Sequence, residues 1–189
     1  MKEIKRCSWA GNDPVYIQYH DYEWGIPVHN DTKLFEMLIL EGFQAGLSWI
    51  TILKKRNSFR DAFESWDYNK VASFTESDIG RLAENKNIVR NRLKIISAVK
   101  NARAFIDVID KFGSFDNYIW GFTGYTTIRP MIPPRNWSEV PTRSTISDKM
   151  SKDLKQRGFS FVGTVICYSF MQAVGMVDDH MEGCFKCKR

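Results

Sequence analysis

Two pairs of cysteine and histidine residues near the ends of the chain have the spacing of metal ligands. Cys7 and His20 are separated by twelve residues, and His180 and Cys184 by three. Two thiolates and two imidazoles form a closed tetrahedral Zn²⁺ site, which is structural because no coordination position remains for water. Spacing leaves two alternatives open: the four residues are unrelated, or Cys187 replaces one of them.

Glu41 is a second candidate for chemistry, because it is an acidic residue inside the apolar run 33–53. Leu34, Met37 and Leu38 precede it by seven, four and three residues. In a helix this spacing places Glu41 on their apolar face. Since desolvating a charge is costly, a buried carboxylate needs a partner. The pattern favours a buried Glu41 over a solvated one.

A basic segment runs from residue 86 to residue 103 and contains no acidic residue. Its basic residues are Lys86, Arg90, Arg92, Lys94, Lys100 and Arg103. The segment covers a turn and the start of a long helix, where backbone N–H groups and basic side chains together suit a DNA phosphate. The alternative is a solvated helix face, although such a face normally mixes both signs of charge.

The elements that position these residues are predicted to be helices. The predicted N-caps are Asp13 (before Pro14), Asp31, Asp67 and Thr75, and a further helix is expected to start near Ser48. A longer helix follows from residue 92 to the stop at Gly113, with an apolar face formed by Leu93, Ile96, Val99, Ala102, Phe105 and Ile109. A proline-rich irregular segment, a capped helix from 145 and a buried helix from about Gly163 complete the chain. The fold class is therefore all-α.

Composition sets limits on the class of protein. The chain has 189 residues, 43% of them apolar and 26% charged, which is typical of a single folded domain. Its net charge of +5 suits a nucleic-acid partner if the charge is clustered. The sequence contains no signal peptide and no apolar run that could span a membrane. We therefore expect a cytoplasmic protein with no membrane partner, whose cysteines bind metal rather than form disulfides.

Three long segments and the paired Cys/His ends carry a family resemblance. The segments read DPVYIQYHDYEWGIP, KLFEMLILEGFQAGLSWITILKKR and RGFSFVGTVICYSFMQAVGMVDDH. Together they resemble DNA-3-methyladenine glycosylase I, a family of the helix-hairpin-helix DNA glycosylase superfamily. YHDYEWG and LEGFQAGLSW are specific in combination, and the resemblance spans nearly the whole chain.

The resemblance implies a fold and an activity. The fold is a compact helical domain covering residues 1–189, with a helix-hairpin-helix element and with its terminal segments 1–30 and 176–189 joined by one structural Zn²⁺ per chain. The activity is hydrolysis of the N-glycosidic bond of 3-methyladenine in alkylated double-stranded DNA by base flipping. It releases the free base and leaves an abasic site, which is the first step of base excision repair. The protein is expected to act as a monomer.

The resemblance also implies roles for individual residues. The structural zinc falls on the four residues at the chain ends, and the catalytic and base-recognising acid falls on Glu41. The base-binding aromatic residues are Tyr16, Tyr19, Trp24 and Trp49. Gly46 and Leu47 match the segment that approaches the duplex, and Arg90, Arg92 and Lys94 match the hairpin that grips the DNA backbone.

Two departures from the superfamily pattern concern the hairpin and the catalytic base. The hairpin sequence NIVRNRL lacks the glycines that many such hairpins contain. After Ile95 no acidic residue occurs until Asp107, so the catalytic aspartate of the wider superfamily has no counterpart. No lysine occupies a nucleophile position, so we expect a monofunctional enzyme without a lyase step.

Two other classes of protein share some of these features. A non-enzymatic, zinc-stapled DNA-binding module would use the same basic segment but would leave Glu41 without a role. A zinc hydrolase would need an open coordination position, which a closed Cys₂His₂ site lacks.

Overall fold

The computed structural model describes residues 4–187, so the outermost residues of the predicted terminal segments lie outside the described range. Ten α-helices account for most of this part of the chain. They are α1 (Pro14–Tyr22), α2 (Asp31–Gln44), α3 (Trp49–Lys54), α4 (Arg56–Ala62), α5 (Tyr68–Ala72), α6 (Glu76–Glu84), α7 (Arg92–Phe112), α8 (Phe115–Trp120), α9 (Thr145–Gln156) and α10 (Thr164–Ala173). Within residues 4–187 the β-structure is one isolated parallel bridge between Ile128 and Val177. The all-α prediction is confirmed.

Helix α2 forms the centre of the core. Every residue from Leu34 to Phe43 is buried, because α2 packs against α7, α8 and α10 as well as α3. Few polar side chains are tolerated at such a position, and those present are paired or functional. Among residues 4–187, no helix is both long enough and apolar enough to cross a lipid bilayer.

Local capping signals account for most of the helix boundaries. The Asp13 carboxylate accepts the N–H of Val15 at the start of α1, and Thr75 and Asp78 form a reciprocal capping box at the start of α6. Gly113 ends α7 in the left-handed conformation at φ +83°. These boundaries agree with the sequence prediction because each depends on residues close together in the chain.

The predicted N-cap of α2 is off by one residue. The Asn30 side chain accepts the N–H of Lys33, so Asn30 is the cap and Asp31 is the first helical residue. The Asp31 carboxylate instead accepts the N–H groups of Phe115 and Asp116 at 3.1 and 2.8 Å, and so caps α8. This contact spans more than eighty residues, and the local sequence contains no sign of it.

The predicted apolar face of α7 is wrong at its first turns. Leu93 and Ile96 are exposed, whereas Ile95 is fully buried. The buried face is therefore rotated by about one residue at the start of the helix, and it meets the predicted face at Val99 and Phe105. The rotation follows from which neighbouring helices cover α7, namely α2, α5, α6 and α8.

Candidate functional site

A cavity of about 280 Å³ lies where the N-terminal segment, α1, the α2–α3 junction and α10 meet. Its lining residues are Trp9, Tyr16, Tyr19, Trp24, Glu41, Gln44, Ser48, Trp49, Trp137, Ser169 and Gln172. Six of these eleven carry aromatic rings, and Glu41 is the one carboxylate among them. An apolar cavity with a few converging polar groups is the usual form of a small-molecule site.

Glu41 lies in the third turn of α2 with 2% of its surface exposed. Its Oε2 atom has no hydrogen-bond partner within the described part of the chain. Burial raises the pKa of Glu41 to about 8, since the apolar surroundings penalise the charged form. Burial therefore favours the protonated acid, and a cation entering beside it would favour the carboxylate.

The aromatic walls of the pocket come from separate parts of the chain. The Tyr19 and Trp49 rings lie 5.5 Å apart between centroids, and Trp9 meets Trp24 edge-on at 5.0 Å. The Tyr16 hydroxyl accepts the Ile50 N–H at 3.2 Å, which ties α1 to α3. Ring pairs of this kind are stabilising and rigid. All five residues predicted for base binding line this one cavity.

Gly46 and Leu47 form the short connection between α2 and α3. Gly46 has φ +77°, a conformation that glycine adopts without strain. Leu47 is 41% exposed. Gln44 and Ser48 on either side of the connection line the cavity. An apolar side chain is therefore presented to solvent at the edge of the pocket.

Helices α6 and α7 and the turn between them form a helical hairpin. The Asn91 side chain accepts the N–H of Lys94 and caps α7. Arg90 is exposed in the turn, and Arg92 is exposed in the first turn of α7, where it pairs with Glu76 of α6. Two of the three predicted DNA-contacting cations therefore lie on the surface beside a helix N-terminus.

The structure does not place the third predicted cation, Lys94, with the other two. Its ammonium group points into the protein and donates to the carbonyl oxygens of Phe43 at 2.9 Å and Ala45 at 2.6 Å. The side chain is 7% exposed, and burial lowers the pKa of Lys94. Lys94 therefore satisfies the C-terminal carbonyls of α2, and this corrects its assignment to the DNA-contacting surface.

The two ends of the chain meet at a cluster of potential metal ligands. One ligand atom each from Cys7, His20 and Cys184 lies within 4.8 Å of the others. Contact between the two sulfur atoms raises the pKa of Cys7 and lowers that of Cys184, so one thiol ionises readily, as metal binding requires. His180 lies beside the cluster, with its ring centroid 5.2 Å from that of His20.

The surroundings of both histidines fit a metal site. His180 Nδ1 pairs with Asp178 at 2.6 Å, while its Nε2 is buried without a hydrogen-bond partner in the described residues. His20 Nδ1 pairs with Asp21 at 2.8 Å in the same manner. A carboxylate on one ring nitrogen orients the other toward a metal. Cys7, His20 and Cys184 together supply two thiols and one imidazole, a donor set that can bind a metal ion.

Comparison with known proteins finds a family model and two relatives that each match nearly the whole chain. The family model for methyladenine glycosylase matches residues 9–187. DNA-3-methyladenine glycosylase 1 of Escherichia coli is 48% identical over 182 residues, covering 96% of each chain. DNA-3-methyladenine glycosylase of Haemophilus influenzae is 46% identical over 180 residues, covering 95% of this chain and 96% of that protein.

This chain belongs to the methyladenine glycosylase family.

Solved structures of the family share its fold. A crystal structure of 3-methyladenine DNA glycosylase I superposes with a TM-score of 0.94 at 46% identity, covering 97% of this chain and all of that one. The Staphylococcus aureus 3-methyladenine DNA glycosylase I, solved to study 3-methyladenine recognition, gives a TM-score of 0.92 at 37% identity, with 98% of each chain covered.

Several pocket residues of this methyladenine glycosylase were missed by the sequence analysis. They are Trp9, Gln44, Ser48, Trp137, Ser169 and Gln172. Trp137 belongs to the proline-rich segment, and its ring lies 6.1 Å from that of Trp9. A tryptophan in an otherwise polar and irregular segment was the available signal. The rest gave none, because their closeness to Glu41 arises only from the packing of distant segments.

A larger cavity of about 570 Å³ lies further along α2 but has a different character. Its carboxylates are already paired: Glu23 and Glu36 both contact Arg56 and Lys33 at distances from 2.7 to 3.2 Å. A carboxylate neutralised in this way offers little to a cationic base. The smaller aromatic pocket, with its unpaired acid, is therefore the candidate active site of this family member.

Proposed function

We propose that this chain is a monofunctional DNA-3-methyladenine glycosylase. It hydrolyses the N-glycosidic bond of 3-methyladenine in alkylated double-stranded DNA, releases the free base and leaves an abasic site, the first step of base excision repair. The observation that carries the proposal is Glu41, an unpaired buried acid enclosed by aromatic rings. The names of relatives that cover nearly the whole chain support the same activity.

Recognition rests on the charge of the damaged base. Flipping a nucleotide out of the duplex costs a few kcal/mol, and less when the base pairs poorly. Each aromatic face contributes about 0.5–2 kcal/mol of cation–π attraction to a cationic purine. The same charge favours the carboxylate form of Glu41, so a bound base and its acid neutralise each other. Normal adenine is neutral and loses both contributions.

Bond cleavage requires little general acid catalysis because the damaged base is already a good leaving group. The bonding electrons pass to the base and neutralise its positive charge, and water adds to C1′ of the sugar and loses a proton. Glu41 is the one carboxylate that lines the pocket. It acts by holding the base and by stabilising positive charge near the breaking bond.

DNA binding is assigned to the hairpin and to the α2–α3 connection. The exposed Arg90 and Arg92, beside the N-terminus of α7, support a helix-hairpin-helix contact with backbone phosphate. Leu47, exposed next to the pocket, has a suitable position to fill the space left by a flipped base. Gly46 allows the tight connection that brings it there.

The cluster at the chain ends is assigned to one structural Zn²⁺. Cys7, His20, His180 and Cys184 would hold it, and its contribution is to fasten the N- and C-terminal segments of one continuous glycosylase domain. With four protein ligands the metal has no position for a catalytic water. The enzyme is proposed to act as a monomer.

A base-release assay on methylated duplex DNA tests the function directly. The parent protein should release 3-methyladenine, identified by chromatography, at neutral pH. Glu41→Gln should release it about 10- to 100-fold more slowly, the value of a hydrogen bond to a charged group. Glu64→Gln, an exposed acid outside the pocket, is the matched control and should match the parent. DNA binding without base release by the parent would instead identify a non-enzymatic DNA-binding module.

A further inference from the structure

Gln172 presents a polar group to the base pocket from the last turn of α10. Its side chain is 6% exposed and lines the cavity. Its Nε2 atom donates to Asp179 Oδ2 at 2.8 Å. Its backbone carbonyl accepts the N–H of Gly25 at 2.9 Å. Both ends of the residue are therefore held in place.

Asp179 is well suited to fix the direction of the Gln172 amide. The same Oδ2 atom accepts the Tyr168 hydroxyl at 2.8 Å, and the carboxylate is 3% exposed. Tyr168 and Gln172 are four residues apart in α10, so they lie on one face and their donors converge. A flipped amide would bring its oxygen against this buried carboxylate, which is costly.

The fixed amide leaves one atom for a ligand. With Nε2 held by Asp179, the Gln172 Oε1 atom is directed away from that carboxylate, and within residues 4–187 no group donates to it. An amide oxygen accepts hydrogen bonds and cannot donate. Glu41 differs in this respect, because it accepts when ionised and can also donate when protonated. Gln172 thus offers the pocket a hydrogen-bond acceptor whose sense is fixed.

We propose that Gln172 is a specificity-determining residue that selects a base with an amino group at C6. Its fixed acceptor matches the amino group of 3-methyladenine and opposes the oxygen that hypoxanthine or guanine carries at that position. Asp179 acts through it as a positioning residue. The proposal rests on the proposed glycosylase function, and it adds discrimination between purines to the discrimination by charge. A site built to hydrogen-bond one group strongly rejects a ligand that lacks that group.

Two free bases that differ at C6 test this role. 3-Methyladenine carries an amino group there and 3-methylhypoxanthine carries an oxygen, and the affinity of each can be followed by quenching of tryptophan fluorescence. The parent should bind 3-methyladenine about tenfold more tightly, a typical value for one hydrogen bond gained or opposed. Equal affinities in the parent would overturn the proposal without any variant.

Gln172→Met keeps the length of the side chain and removes the acceptor. We expect the affinity ratio of the two bases to fall about tenfold, mainly through weaker binding of 3-methyladenine. Equal losses for both bases would indicate a purely structural role and would overturn the proposal. Tyr168→Phe is the matched control, because it removes the other donor to Asp179 and should keep the ratio within twofold. A fall in its ratio as large as that of Gln172→Met would also overturn the proposal.

Release of 3-methyladenine from methylated DNA separates this inference from the proposed function. If the parent releases the base but Gln172→Met leaves the affinity ratio of the two free bases unchanged, only the specificity role is wrong. If the parent releases no base, the glycosylase function itself is wrong.

Discussion

At Glu41 the requirements of folding and of binding oppose each other. The carboxyl is buried on the apolar face of α2 and its Oε2 atom lacks a partner. Folding therefore favours the neutral acid, while a cationic base favours the carboxylate. A residue that destabilises the fold and completes a pocket is typical of functional sites.

The pH dependence of stability should reveal this conflict. Because burial raises the pKa of Glu41 from 4.5 to about 8, its protonated form stabilises the fold below pH 4.5, and that contribution is lost as pH rises through 8. The loss is on the order of 5 kcal/mol at about 1.4 kcal/mol per pKa unit. Glu41→Gln lacks this titration, so its free energy of unfolding, relative to the parent, should rise between pH 5 and pH 9. Urea denaturation at both pH values measures it, and parallel profiles would contradict the raised pKa.

At the scale of elements, the C-terminus of α2 joins three features of the site. It ends next to the pocket, it leads into the Gly46–Leu47 connection, and its last carbonyls are bound by Lys94 of α7. Helix α7 of the α6–α7 hairpin therefore also holds the α2–α3 connection beside the pocket. Orphan carbonyls at a helix end need such partners when they are buried.

Replacing Lys94 should lower stability rather than DNA affinity alone. Lys94→Met leaves the Phe43 and Ala45 carbonyls without their donor, which costs about 1–3 kcal/mol. Thermal unfolding should show the loss, with slower base release because the α2–α3 connection is less well held. If Lys94→Met melted like the parent, the interior role of the ammonium would be wrong.

Arg90 provides the contrasting case on the hairpin surface. Arg90→Ala should leave the melting temperature unchanged, because the side chain is exposed. It should weaken binding to any duplex and reduce the slope of log affinity against log salt by about one, the signature of one lost phosphate contact. Lys149→Ala, an exposed cation on α9, is the control and should keep the parent slope. An unchanged slope in Arg90→Ala would remove it from the DNA interface.

At the scale of the whole molecule, the two ends of the chain are packed into one structure around the pocket. Gly25 lies so close to the His180 ring that an added Cβ would stand 2.9 Å from it. The N–H of Val28 donates to the Val174 carbonyl at 3.1 Å, which joins the N-terminal segment to the end of α10. Trp24, in the same segment, forms a wall of the pocket, so the fastening of the ends also shapes the site.

Removing the proposed Zn²⁺ should therefore destabilise the protein before it affects base release. A metal bound a thousandfold above its dissociation constant contributes about 4 kcal/mol, so chelation should lower the melting temperature by about 8–16 °C for a chain of this size. Cys184→Ser should purify with less than one zinc per chain and show the same loss. Cys187→Ser keeps the four assigned ligands and should retain the full zinc content by elemental analysis. The opposite result, with full zinc content in Cys184→Ser and a loss of zinc in Cys187→Ser, would show that Cys187 and not Cys184 is the ligand.

The sequence by itself determined those features that depend on neighbours within about four residues. The caps at Asp13 and Thr75, the stop at Gly113 and the apolar position of Glu41 follow from side chains that meet within one or two helical turns. The family resemblance added the five base-binding candidates, which the structure brings into one cavity.

Only the tertiary structure decided which face of each helix is covered and which distant segments meet. It exposed Leu93, buried the Lys94 ammonium, and brought Trp137 and Gln172 to the pocket. These outcomes depend on contacts between residues far apart in the chain, as in the bond from the Lys94 ammonium to the Phe43 carbonyl, 51 residues away. Local periodicity carries no information on such contacts, because the free energy of burying a face belongs to the pair of surfaces that meet and not to either segment alone.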